Sequence, residues 1–170
     1  MTLGIDASNI RAGGGLTHLK ELLAHADPAA YGFDKVMVWA GRQTLDQLEN
    51  REWLQKQWHP WLDKNILWRT LWQRVFLNRE AKKNCHILFL PAANTTNFRP
   101  YISMCQNLLP FDKKERQRYG WSLMRLRLKL LSIRQKRSFS RSNGVIFLSR
   151  YSKKVVDQQV PVKLSTVVYH

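Results

Sequence analysis

Residues Leu3 to Leu23 read LGIDASNIRAGGGLTHLKELL, a short apolar strand running into three consecutive glycines that open an amphipathic helix. No other stretch of the chain narrows its fold as far. Glycine admits positive φ and lets another group approach the main chain, while the N–H groups that begin a helix favour negative charge. Strand, glycine turn and helix in that order form the first half-turn of an α/β domain that holds something anionic or rich in hydroxyls. The dinucleotide fingerprint G-x-G-x-x-G, started at Gly13 and Gly15, needs a third glycine where His18 stands. It also needs an acidic residue after the second strand, whereas Val36 to Ala40 runs into Gly41 and Arg42. No G-x-x-x-x-G-K-[ST] phosphate loop occurs. The glycines serve a ligand of another class, or they only make a tight turn.

Apolar runs at Leu3 to Asp6, Lys35 to Ala40, His86 to Leu90, Met104 to Leu108, Val145 to Leu148 and Thr166 to Tyr169 alternate with helical patterns. Alternation of this kind predicts an α/β fold, a Rossmann-like and mostly parallel sheet with helices on both faces. Trp53 to Pro60 is a further candidate strand. The spacing predicts a helix from about Asn65 to Lys83, with Trp68, Leu71, Trp72, Val75 and Phe76 on a core-facing stripe and Arg69, Gln73 and Arg74 outside it. With 170 residues, 44% of them hydrophobic, the chain has the length of one ordinary domain and enough apolar surface for a core. No run approaches the ~20 apolar residues of a membrane span, and no signal-like leader precedes Leu3. Cys85 and Cys105 are the only cysteines, in neither C-x-x-C nor zinc-like spacing, and a reducing cytosol suits them.

The formal charge of +16 is unevenly placed: residues 1–50 hold four basic and six acidic side chains, residues 101–150 twelve basic and two acidic. The charge belongs to a surface that seeks nucleic acid, anionic lipid or phosphorylated substrate, and its sign does not choose among them. From Trp121 to Ser142 a helical wheel places Arg125, Lys129 and Lys136 on one basic stripe and Arg127, Arg134 and Arg141 on another. Apolar arcs separate them, Leu123, Leu126, Leu130 and Ile133 on one side and Met124, Leu128 and Leu131 on the other. One arc suits a sheet and the other a lipid surface or partner. After the strand ending near Leu90, the loop PAANTTNFRP sits where open α/β sheets bind ligands. Its Asn94, Thr95, Thr96 and Asn97 suit sugar hydroxyls, and they equally suit capping their own turns.

From Gln106 the chain reads QNLLPFDKKERQRYGWSLMRLRLKLLSIRQKRSFSRSNGVIFLSRYSKKVV. Asn107, Leu109, Pro110, Phe111, Arg118, Tyr119, Gly120, Ser122, Arg125, Leu126, Arg127, Phe139 and Ser149 carry the pattern. A strand leads to a Gln-Asn and L-P-F turn, a basic helix follows, then GVIFLS and a helix opened by serine. Together with the glycine loop this resembles the N-terminal domain of family 4 (group 1) glycosyltransferases of bacterial type. The resemblance spans essentially the whole chain, although Arg42 to Lys83 carries none of its diagnostic residues.

That resemblance implies a GT-B architecture, two Rossmann-like domains facing a cleft. Residues 1–170 would be the acceptor-side half, with a C-terminal nucleotide-sugar domain and its E-x7-E motif absent from this chain. It implies a retaining, metal-independent hexosyl transfer from a nucleotide-sugar to a glycan or lipid-linked acceptor in cell-envelope polysaccharide biosynthesis. No cofactor or metal is expected, no D-x-D pair occurs, and the isolated chain is expected to be inactive. The substrate-binding positions are then Asn9, Gly13, Gly14, Gly15, Asn94, Thr95, Gln106 and Asn107. Gln106 and His18 are the catalytic candidates. Related enzymes often carry histidine where Gln106 stands, and glutamine has no proton to exchange near neutral pH, so this position orients hydroxyls. For His18, a helix N-terminus disfavours the charged ring, and a capping or packing role competes with catalysis. Arg125, Lys129 and Lys136 would meet an anionic membrane surface, placing the protein in the cytoplasm on the inner face of the membrane with no specific nucleic acid as partner. The competing expectation is a basic nucleic-acid-binding or noncatalytic α/β module.

Overall fold

A computed structural model describes residues 1–112, 117, 118 and 122–169. Tyr119 and Gly120 of the family pattern, Lys113 to Arg116 of the basic segment, and Trp121 lie outside the described residues. Internal contacts divide the chain into two compact units, Met1–Ala92 with Thr96–Tyr101, and Ala93–Thr95 with the chain from Ile102 onward. Every strand pair within a unit is parallel. The chain is an α/β, Rossmann-like fold whose parallel strands are flanked by helices.

The first unit begins with β1 (Thr2–Asp6), which pairs with β2 (Lys35–Trp39) and with β4 (Ile87–Leu90), while β3 (Leu54–Gln57) pairs with β2. Asp6 stands beside Trp39 in the register. Successive side chains of a strand point to opposite faces. Met37 and Trp39 of β2 and Leu88 and Leu90 of β4 form one core with Leu62, Trp72, Leu77 and Ala81. Val36 and Val38, facing the other way, are buried too, as are Leu16, Leu19 and Leu23 of α1 (Gly14–Ala24). Both faces of these strands are therefore covered, as parallel sheets require. Short helices α2 (Arg42–Leu45) and α3 (Pro60–Asp63) complete the connections near β2 and β3.

The long helical segment departs from its sequence pattern. It consists of α4 (Ile66–Trp72), one π-helical stretch (Gln73–Leu77) and α5 (Asn78–Asn84). The wider π turn inserts a residue into the helical phase, so the fully buried positions are Trp72, Leu77 and Ala81, spaced five and then four apart. Two expectations are corrected here. Trp68, Leu71 and Val75 are 39%, 42% and 51% exposed instead of facing the core, and Gln73 is buried instead of lying outside. Phe76 stays half-buried, packing on His59 and Trp61 at ring-centroid distances of 5.0 and 5.2 Å.

The second unit holds β5 (Tyr101–Cys105) from Ile102 onward, β6 (Gly144–Phe147) and β7 (Ser165–Val167), paired in that order. The fifth strand thus starts three residues before the expected Met104 and stops at Cys105, because Asn107 turns the chain by accepting the Leu109 N–H at 3.0 Å. Helix α6 (Leu123–Arg141) begins at Ser122, whose hydroxyl accepts the Arg125 N–H, and α7 (Arg150–Asp157) begins at Ser149 in the same manner with Ser152. Phe111, Phe139 and Phe147 join Val145, Val156 and Cys105 in the core of this unit, the first two rings stacked 5.8 Å apart.

Candidate functional site

The carboxyl end of β1 is built around a buried acid. Asp6 is fully buried, and its Oδ1 accepts from the Ser8 backbone N–H at 3.1 Å and from the Ser8 hydroxyl at 2.5 Å. The Gln73 amide, brought inward by the π turn, donates to Asp6 Oδ2 at 3.2 Å and to Ser8 Oγ at 2.6 Å. A buried carboxylate is costly unless hydrogen-bonded, and these donors satisfy it. Further along, the Thr44 hydroxyl donates to the Ile10 carbonyl at 2.7 Å. Arg11 donates through one guanidinium nitrogen to the carbonyls of Leu62, Asp63 and Lys64, at 3.1, 2.6 and 2.6 Å. The loop is thus pinned from Ala7 to Arg11 before it reaches the glycines.

Gly13 has φ 67° and ψ −160°, a conformation open essentially to glycine alone, and it precedes α1 without any side-chain cap or acidic residue in the first turn. A Cβ added at Gly13 or Gly14 would meet nothing within 4 Å. Among the three glycines only Gly13 has positive φ. The backbone demand falls on Gly13, and Gly14 contributes open space. Asn9 lies half-buried within the pinned part of the loop, and His18 lies half-buried in the second turn of α1 with its Nε2 enclosed.

Beside this loop a cavity of about 470 Å³ is lined by Arg11, Gly41, Arg42, Gln43, Thr44, Asp46 and Asp63. Asp63 is occupied structurally, accepting the Arg42 backbone N–H at 2.7 Å and the Trp58 indole N–H at 2.6 Å. The Arg42 guanidinium stacks over the Trp58 ring, 4.4 Å from its centroid. Burial lowers the pKa of the Arg69 guanidinium, and the charge of Arg11 lowers it further, while Arg69 Nε is enclosed without a hydrogen-bond partner. Positive charge therefore gathers on the β1 loop side of this unit.

The remaining predicted residues belong to the second unit. Asn94 is buried, and its carbonyl accepts the Ser138 hydroxyl at 2.8 Å; Ser138 in turn shares a 2.7 Å hydrogen bond with Ser103. Thr95 and Gln106 are half-buried, and Asn107 is exposed but engaged in its turn. Of the loop's other polar residues, Thr96 donates to Asn78 Oδ1 at 2.6 Å, and the same oxygen accepts the N–H groups of Asn97 and Phe98. Those two residues cap the first unit's own chain. Arg125, Lys129 and Lys136 lie on α6, the first two exposed and the third half-buried.

Pattern reasoning passed over Asp6, Ser8, Arg11, Arg69 and Gln73. One signal was available, an aspartate at the end of an apolar strand directly before a glycine loop. Gln73 gave none, since its inward turn depends on a π turn. Among the described residues no group of three or more His, Cys, Asp or Glu side chains is placed to hold a metal ion, and no helix is long and apolar enough to cross a membrane. The fold defines a Rossmann-like α/β protein. Comparison with protein-family models, curated proteins and solved structures finds no match to the chain.

Proposed function

We propose that this chain is the acceptor-side domain of a retaining, metal-independent glycosyltransferase. A glycan or lipid-linked acceptor sits at the loop after β1, and a nucleotide-binding domain supplies the sugar donor. The observation that carries the reading is the start of α1: an uncapped helix opening at exposed glycines at the carboxyl end of a parallel strand, on a loop root held by Asp6, Ser8 and Gln73. Backbone N–H groups at such a helix start favour oxygens that bear negative charge, and open space above Gly13 and Gly14 lets a ligand reach them. Arg11 adds positive charge to the same loop. In this reading His18 keeps α1 packed or orients the acceptor, and Gln106, Asn107, Asn94 and Thr95 are the second unit's own candidates for holding hydroxyls. Lipid-linked acceptors place the protein at the cytoplasmic face of a membrane.

Titration of the purified chain with acceptor-type oligosaccharides and with nucleotide-sugars, followed by ligand-observed NMR, tests the reading. Expected are saccharide binding that Gly14→Val removes without lowering the melting temperature, weak nucleotide-sugar binding, and no transfer. Steady turnover by the 170-residue chain with any donor overturns the half-site assignment. Saccharide binding unchanged in a well-folded Gly14→Val variant reduces the loop to a structural turn.

A further inference from the structure

Helix α6 buries Leu128, Ser132, Gln135, Ser138 and Phe139 on its inner side. At 100° per residue the arc roughly opposite is Leu123, Leu126, Leu130 and Ile133, spaced three, four and three apart. These four are 86%, 54%, 55% and 55% exposed. Single exposed leucines are ordinary on protein surfaces, but a continuous apolar row along one helix marks an interaction surface. Arg125, Lys129 and Lys136 run along one side of the row, and Arg127, Arg134 and Arg141 along the other, with Arg137 in the row itself. No acidic residue occurs from Leu123 to Arg141. Both basic stripes therefore flank the outward apolar row, a relation that the helical wheel leaves open because it does not say which arc is inward.

We propose that α6 lies flat on an anionic phospholipid surface, with Leu123, Leu126, Leu130 and Ile133 sunk into the headgroup boundary and the two basic stripes on lipid phosphates. Charge complementarity selects this occupant. A nucleic acid would pair with the basic stripes and leave the apolar row in water. A protein groove deep enough for the row would take in Lys129 and Lys136 beside it, and lysine is depleted from interface cores. At a lipid boundary both demands are met, because apolar side chains enter while long basic stems carry their charges outward to the headgroups. The helix lies on the bilayer and does not span it, in keeping with its seven basic residues.

The proposal stands on α6 alone and is read without donor or acceptor, so its failure leaves the acceptor-domain reading intact. The experiment is co-sedimentation of the purified chain with phosphatidylcholine vesicles, with and without phosphatidylglycerol, against single-stranded RNA and duplex DNA at matched ionic strength. Two variants separate the contributions. Arg125→Gln/Lys129→Gln/Lys136→Gln removes charge, and Leu126→Ser/Leu130→Ser removes apolar surface at exposed positions, with circular dichroism checking the fold. Expected is binding to acidic vesicles only, falling with salt, weakened roughly five-fold for each neutralised cation. The leucine variant should bind at least about ten-fold more weakly at high salt, where exposed charges are screened beyond a few ångströms. Unchanged vesicle binding in either variant, or tighter binding to RNA or DNA than to acidic vesicles, overturns the proposal. So does a dimer that Leu126→Ser/Leu130→Ser disperses while the wild-type chain ignores vesicles, a result that assigns the row to a second copy.

Discussion

Gly13 and Gly14 are neighbours in the same loop, yet they answer to different physics. Gly13 sits at φ 67° and ψ −160°, where a side chain of any kind is strained, whereas Gly14 has no positive φ and nothing within reach of an added Cβ. Gly13→Ala is expected to lose about 1–3 kcal/mol of stability, the cost typical of such backbone outliers. Gly14→Ala should stay within about 0.5 kcal/mol of wild type, as for substitutions away from packed or strained features. Urea unfolding of both variants checks the ranking, and equal losses would refute it. The three glycines are identical as letters. Which one carries the backbone demand depends on the direction in which the pinned loop enters α1.

Within the helical segment from Ile66 to Asn84, the π turn decides which residues matter. Gln73 opens the π stretch and reaches Asp6 and Ser8, and Val75 within it faces outward. Gln73→Leu leaves a buried carboxylate oxygen and a hydroxyl short of a donor, which should cost about 1–3 kcal/mol. Val75→Lys, at an exposed position, should change stability by less than about 0.5 kcal/mol. Reversal of that order in chemical denaturation would restore an uninterrupted α-helix with Val75 in the core. The periodicity of apolar residues finds the helix and its limits, since Asn65 accepts the N–H groups of Leu67 and Trp68 at its start. Periodicity assumes a constant turn, so it misassigns both faces once one turn holds an extra residue.

At the scale of the whole molecule, pH reaches two places that the proposed sites do not use. Burial raises the Cys85 thiol from 9.0 to about 11 and the Cys105 thiol from 9.0 to about 12. A folded pKa above the unfolded value means the unfolded chain releases its proton first, so stability is retained below about pH 9 and falls as pH rises towards 11 and 12. The loss should be smaller in a Cys85→Ala/Cys105→Ala variant, and the difference between the two urea midpoints across that range is the measurement. Identical slopes would mean that neither thiol is shielded. Neither should be alkylated readily near neutral pH while the chain is folded.

The parallel α/β class, the strand preceding the glycines, the helix opening at Ser149, and the concentration of charge after residue 100 were all legible in the linear sequence. Each rests on a local signal, on apolar periodicity, a capping hydroxyl or a run of like charge, that survives whatever the rest of the chain does. The Asp6, Ser8 and Gln73 network was not legible, because it joins positions more than sixty residues apart through one irregular turn. Nor was the outward face of α6. Both of its arcs are apolar by composition, and only the packing of Phe139 into the core with Phe111 and Phe147, with Leu128 buried on the same helix, left the Leu126 and Leu130 row on the outside. Local patterns specify elements; which side of an element is inward is a property of what it packs against, and tertiary structure alone decides that.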